Sequence, residues 1–149
     1  MRRFVGLTGV GLLAALALVG CGSSGPSGPE RAVIAQAEEI CLDTQDKVGS
    51  TLGDDPAADR DAVREGTDRL MAISAPSQNI NAWTLFVQSH NNLWIVLEDI
   101  AQSQLPEVND QARAETARAT LVEVHDNVKR YASDYNMVEC ARGYGRQSR

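Results

Sequence analysis

Residues Gln78–Ser103 read QNINAWTLFVQSHNNLWIVLEDIAQS, the most apolar helical pattern in the chain. On a wheel of 100° per residue, Trp83, Phe86, Val87, Leu93, Trp94, Leu97 and Ile100 share one broad face. His90 falls at the centre of that face. Leu85, Ile95 and Val96 lie off it, so this helix is either covered on several sides or offers part of itself to a partner. A face this wide needs other elements packed around it, and the flanking sequence supplies only helices.

Upstream, Ser74-Ala75-Pro76-Ser77 breaks the pattern. Before it, Ala62, Val63, Gly66, Leu70 and Ile73 form a narrow apolar stripe that starts at Asp54-Asp55-Pro56, an Asp cap followed by Pro at the first helical position. Gly66 costs about 1 kcal/mol against Ala in a helix, which points to close approach of a neighbour. Earlier still, Val33, Ile34, Ala37, Ile40, Cys41, Thr44, Val48 and Leu52 share a face, so a first helix is expected over about Glu30–Leu52, stopped by Gly53. Downstream, Leu105-Pro106-Glu107 turns the chain into a fourth helix. Its stripe is Ala114, Ala117, Leu121, Val124, Val128, Tyr131, Ala132 and Tyr135.

Four amphipathic helices joined by short loops predict an all-α fold over residues 30–140, an antiparallel up-down-up-down four-helix bundle. In that topology Ile73, Ile80, Trp83, Phe86, Tyr131 and Tyr135 gather at the end where the chain comes in. Ala58, Ala62, Ala101, Ala112, Ala114 and Ala117 gather at the other end, which must pack tightly or leave a shallow groove. Residues 141–149 carry Arg142, Arg146 and Arg149 with two glycines and read as a disordered tail.

The N-terminus reads differently. Arg2 and Arg3 precede an apolar run, Phe4–Val19, shorter than the ~20 residues a spanning helix needs. The run ends in Leu18-Val19-Gly20-Cys21, and these residues resemble the lipobox of bacterial lipoproteins. The resemblance implies a signal peptide over residues 1–20, cleavage before Cys21, and lipidation of Cys21 by acyl chains such as palmitate. Two or three chains give stable anchoring to a membrane. Residues 21–29 then form a Gly/Ser/Pro linker, with Pro29 beginning the first helix.

Without Arg2 and Arg3 the formal net charge moves from −6 to −8. So acidic a domain does not bind nucleic acid non-specifically. Cys41 and Cys140 remain, an even pair in an exported protein, and read as one disulfide. A fourth helix running straight on would carry Cys140 away from Cys41, so the chain must reverse. Asn136 is the expected pivot, because Asn tolerates the left-handed conformation that ends helices. The order of lipobox, tether, Ile40-Cys41, Pro turns and Tyr135-Asn136-Met137-Val138-Glu139-Cys140 also resembles small helical lipoproteins and secreted proteins of actinobacteria, where an early Cys pairs with one after the last helix. That group often has Gly where Asn136 stands, and the resemblance implies no particular activity.

His90 has two readings. As a structural group it bonds within the core, with Thr44 a candidate partner. As a functional group it belongs to a ligand pocket with Trp83 and Trp94. His125, the other histidine, lies at the edge of the fourth stripe, and neither histidine has a Glu three residues before it, so no metal is expected. No cofactor motif appears, and Ser89 and His90 are helical neighbours that do not face each other. The reading is a non-catalytic, membrane-anchored envelope lipoprotein that binds an unknown protein partner through its helical surface. The alternative is a small-molecule or lipid carrier with a cavity near His90 and Trp94. A cavity lined by Trp83, His90 and Trp94 favours the carrier; a closed core with Leu85, Ile95 and Val96 exposed favours the partner.

Overall fold

A computed structural model describes residues 28–75, 79–106 and 108–145. Residues 1–27, which hold the expected signal peptide, Cys21 and most of the expected linker, lie outside the described residues. The described chain is helical, with α1 Gly28–Lys47, α2 Pro56–Ala72, α3 Ile80–Ser103, α4 Gln111–Asp134 and the single turn α5 Val138–Ala141. No strand occurs among the described residues.

Local chemistry sets the boundaries. Asp55 caps α2, its carboxylate accepting from the Ala58 N–H at 3.2 Å, with Pro56 in the first turn. Asp110 caps α4 in the same way, accepting from the Arg113 N–H at 3.0 Å. At the end of α4, Asn136 adopts φ 59°. The Met137 N–H reaches back to the Ala132 carbonyl at 2.9 Å and the Asn136 N–H to Ser133 at 3.0 Å. This is a Schellman turn, and it reverses the chain at the expected pivot.

The first helix is shorter than expected. It ends at Lys47 rather than Leu52, because the next residues are held in a loop by a side chain from α2. Asp59, 1 % exposed, accepts from the Gly49 N–H at 3.3 Å and from the Gly53 N–H at 2.7 Å. Gly53, the expected stop, sits inside that loop at φ 92°.

α2 packs on α1 and α3, and α3 packs on α4. α1 and α4 do not pack backbone to backbone; α5 lies between them and packs on both. This differs from the expectation that the first and last long helices are direct neighbours. Two clusters make the core. One joins Ala37, Ile40, Cys41, Leu70, Trp83, Phe86, Ala132, Tyr135 and Met137. Trp83 anchors it, with ring centroids 5.7 Å from Phe86 and 6.0 Å from Tyr135. Ile80, expected at this end, is instead 54 % exposed. The other cluster joins Val48, Val63, Leu93, Leu97, Ile100, Leu121 and Val128 with Ala62 and Ala117. Of the remaining alanines expected there, Ala114 is buried while Ala58 and Ala112 are exposed.

The expectation of a disordered tail from Ala141 is corrected for residues 141–145. Ala141 ends α5, and Tyr144 is 4 % exposed as a member of the second cluster. The physical reason is the gap between α1 and α4, which an apolar ring fills. Residues 146–149 lie outside the described residues.

Candidate functional site

α3 places His90 with no exposure, one turn after Phe86. Its Nδ1 lies 3.0 Å from the Phe86 carbonyl oxygen, and its ring meets the Phe86 ring edge-on at 4.4 Å. A carbonyl only accepts, so Nδ1 carries the proton and Nε2 presents a bare lone pair. That lone pair is buried without a hydrogen-bond partner. The expected bond to Thr44 is not formed: the Thr44 hydroxyl donates to the Ile40 carbonyl at 2.8 Å. Burial pushes the His90 imidazole down to about 4, with the bond to Phe86 opposing and nearby His125 adding to the shift.

Tyr144 is the residue that brings the two histidines into one environment. Its ring meets His90 edge-on at 5.7 Å and stacks on His125 at 6.3 Å with a 17° interplanar angle. Its backbone N–H donates to His125 Nε2 at 2.8 Å, so His125 is neutral with its proton on Nδ1. Burial, then Lys129, lowers the His125 pKa, while Asp126 opposes. The Tyr144 hydroxyl is buried with no hydrogen bond of ordinary geometry; burial raises its pKa well above the phenol's ordinary value, and the Thr44 hydroxyl opposes the shift. Gly143, at φ 73°, lets the backbone lie against His125; a Cβ there would overlap His125 Nε2 and crowd Lys129 Cδ. Sequence reasoning missed Tyr144 because four residues around a lone aromatic carry no periodicity. The flanking Gly143 and Gly145 were the available signal.

Cys41 and Cys140 form a disulfide, with Cα atoms 5.2 Å apart. α5 is also fastened to α1 by polar bonds: Gln45 Nε2 donates to the Glu139 carbonyl at 2.8 Å, and the Glu139 N–H donates to Glu38 at 3.2 Å.

The two tryptophans do not meet His90 in a cavity. Trp94 is half-buried, donates to Asn91 Oδ1 at 3.0 Å, and has the Arg64 guanidinium 5.6 Å above its ring. Trp83 lines an open groove of about 660 Å³ between α2 and α3, with Met71, Ile73, Val87 and Gln88. Leu85 and Ile95 are 42 % and 46 % exposed, and Val96 is half-buried. Ser89 donates to the Phe86 carbonyl at 2.6 Å, so its proton is not directed at an imidazole. Among the described residues no group of three His, Cys, Asp or Glu side chains is arranged to hold a metal. No described helix is long and apolar enough to cross a membrane. No family model, curated protein or solved structure matches the chain.

Proposed function

We propose that this chain is a lipid-anchored envelope protein whose helical domain is a non-catalytic protein-interaction module. Residues 1–20 serve as signal peptide, Cys21 carries the acyl anchor, and the domain stands on the extracytoplasmic side of the cell membrane. The helices run up-down-up-down. Support for this topology comes from the clusters, since Val33 and Ile34 in the first half of α1 pack on the cluster that holds Leu70 late in α2, Phe86 early in α3 and Ala132 late in α4. The reading rests on the residues themselves: the lipobox, and the distribution of apolar side chains on α3.

The single observation that carries the interaction reading is the contrast on α3. His90, the candidate ligand group, is sealed in the core, while Leu85 and Ile95 stand 42 % and 46 % exposed on the same helix. A histidine closed off from solvent leaves the outer surface as the place for recognition. The groove at Trp83 supports a second reading, a carrier of a small apolar ligand, in a different place from the expected cavity near His90 and Trp94.

Photo-crosslinking residues placed at Leu85 and Ile95 in the native host test the first reading. Discrete protein adducts at both positions, absent at exposed Thr116, are expected. No adducts, together with a small molecule retained at the Trp83 groove in native mass spectrometry, would replace the module with the carrier. The anchor is tested separately, by fractionating cells that carry Cys21→Ala. Undiminished membrane association of the variant would rule out lipid as the anchor.

A further inference from the structure

The segment after α5 is a strap, and one of the contacts that hold it depends on protonation. Cys140 fixes its start through the disulfide to Cys41. Gly143 and Gly145, at φ 73° and 84°, bend it across the gap between α1 and α4. At Gly145 a Cβ would come within 2.9 Å of the Leu52 backbone nitrogen, so the strap also lies against the α1–α2 loop. Between these glycines Tyr144 enters the core with its ring between the two histidines, and its N–H donates to His125 Nε2 at 2.8 Å. That acceptor exists only while His125 is neutral.

We infer that residues 142–145 are a pH-sensitive latch: protonation of His125 at Nε2 releases Tyr144 from between His125 and His90 and opens the bundle interior beside Thr44, while Cys140 stays tied to Cys41. The proton comes from solvent and adds to the Nε2 lone pair. It places an N–H against the Tyr144 N–H, so an attractive contact becomes a repulsive one. Gly143 packs directly on the same nitrogen and leaves no room for the pair to separate in place.

The titratable groups around His125 are His90 from α3, Lys129 and Asp126 on α4, and the Tyr144 phenol from the strap. Lys129 disfavours the positive charge on His125 and Asp126 favours it, while His90, whose own pKa is pushed down to about 4, and the phenol stay neutral where His125 takes up its proton. With the latch closed, both imidazoles bind protons below their ordinary value of 6.5. With it open, both reach water and regain that value. The closed state is therefore fully favoured above the ordinary histidine range. It weakens as pH falls below that range, until the depressed values are reached, by up to about tenfold per pH unit for each histidine.

The test is amide hydrogen exchange by NMR on the full oxidised chain, with each rate corrected for the intrinsic pH dependence of exchange. Between about pH 7 and pH 5.5 the opening constant at the Tyr144 amide should rise at least about tenfold. The Leu97 and Leu93 amides should not follow. In His125→Gln a side-chain carbonyl accepts the same bond without titrating, and the rise should shrink by at least about threefold, leaving the part due to His90. An equal rise in the variant, a pH-independent Tyr144 amide, or a rise shared with Leu97 would overturn the latch. A nitrogen-15 titration of the His125 ring decides the matter without a variant. A neutral ring with its proton on Nδ1 is expected while Tyr144 is protected, and a charged ring beside a protected Tyr144 amide would overturn the inference.

Discussion

The Gly53 N–H donates to the Asp59 carboxylate at 2.7 Å, across the loop that joins α1 to α2. The same carboxylate accepts from the Gly49 N–H at 3.3 Å, so one side chain from the first turn of α2 organises five residues of loop. Burial raises the Asp59 pKa, and the two amide bonds oppose it. Replacing Asp59 by Ala leaves two backbone donors without their acceptor. The expected loss is about 1–3 kcal/mol by chemical denaturation. Asp59→Asn, which keeps a carbonyl acceptor and removes the buried charge, should lose less. An Ala variant as stable as the parent would mean that water replaces the carboxylate at no cost.

A second prediction concerns Gly66 in α2. A Cβ there would overlap Oγ1 of Thr44, which is buried and donates to the Ile40 carbonyl. The helix would gain about 1 kcal/mol in propensity on going to Ala. Overpacking against α1 costs about 1–3 kcal/mol, so Gly66→Ala should be net destabilising. Adding Thr44→Ala removes the overlapping atom. The double variant should then be more stable than the sum of the two single changes by at least about 0.5 kcal/mol. Additive losses would place the cost of Gly66→Ala somewhere other than this contact.

The helices, their stripes and several boundaries were legible in the chain. Asp55-Pro56 and Asn136 each did what local backbone chemistry requires of them, and that chemistry needs no knowledge of the rest of the molecule; Gly66 announced a close approach but not that Thr44 is the neighbour. What failed was long-range. α1 ends five residues before the predicted Leu52 because a carboxylate of the next helix captures the loop amides. Tyr144 falls within the expected tail because its burial depends on a gap between α1 and α4 that no local pattern announces. The burial of His90 was visible at the centre of its stripe. Its partner was not, because a side chain one turn from its own backbone carbonyl has a local choice that competes with Thr44.

The disulfide should matter more here than in a bundle whose first and last helices touch. Cys41 and Cys140 are separated by 99 residues, and the backbones of α1 and α4 do not pack on each other directly, with α5 lying between them. In the chain-entropy model a loop near this length contributes up to about 4.7 kcal/mol. Cys41→Ala with Cys140→Ala should cost about 2–4 kcal/mol. Exchange protection should be lost first at Met137–Tyr144, before α2 and α3. Simultaneous loss everywhere would show that α5 is not a separate seam.

Acid should act through His90. Its folded pKa, pushed down to about 4, lies below its ordinary 6.5, so its contribution is intact above that ordinary value and declines as pH falls toward the folded one. The unfolded chain takes up the proton first. Over that range the loss from this group amounts to about 3 kcal/mol at most. His90→Leu should flatten the stability profile between pH 6.5 and 4. It should also cost little at neutral pH, because it removes a lone pair that has no partner. A profile as steep in the variant as in the parent would assign acid sensitivity to other groups.

The last prediction separates the ring of Tyr144 from its hydroxyl. The ring meets those of His90 and His125 and is part of the second core cluster. Deleting it creates a cavity, and large aromatic truncations in cores cost about 3–5 kcal/mol. The hydroxyl is a different matter. It is buried and makes no hydrogen bond of ordinary geometry; the Thr44 hydroxyl, the polar group that acts on it, gives its own proton to Ile40 and is left only as an acceptor. Burying a polar group without a partner is unfavourable, so removing the oxygen while keeping the ring should not destabilise the fold. Tyr144→Phe is therefore expected to match or exceed the parent in stability, while Tyr144→Ala falls by several kcal/mol. Equilibrium denaturation of the two variants beside the parent measures both. If Tyr144→Phe loses more than about 1 kcal/mol, the phenol O–H has an acceptor, either Thr44 Oγ1 directly or, through an internal water, His90 Nε2, the other buried side-chain atom without a partner among the described residues.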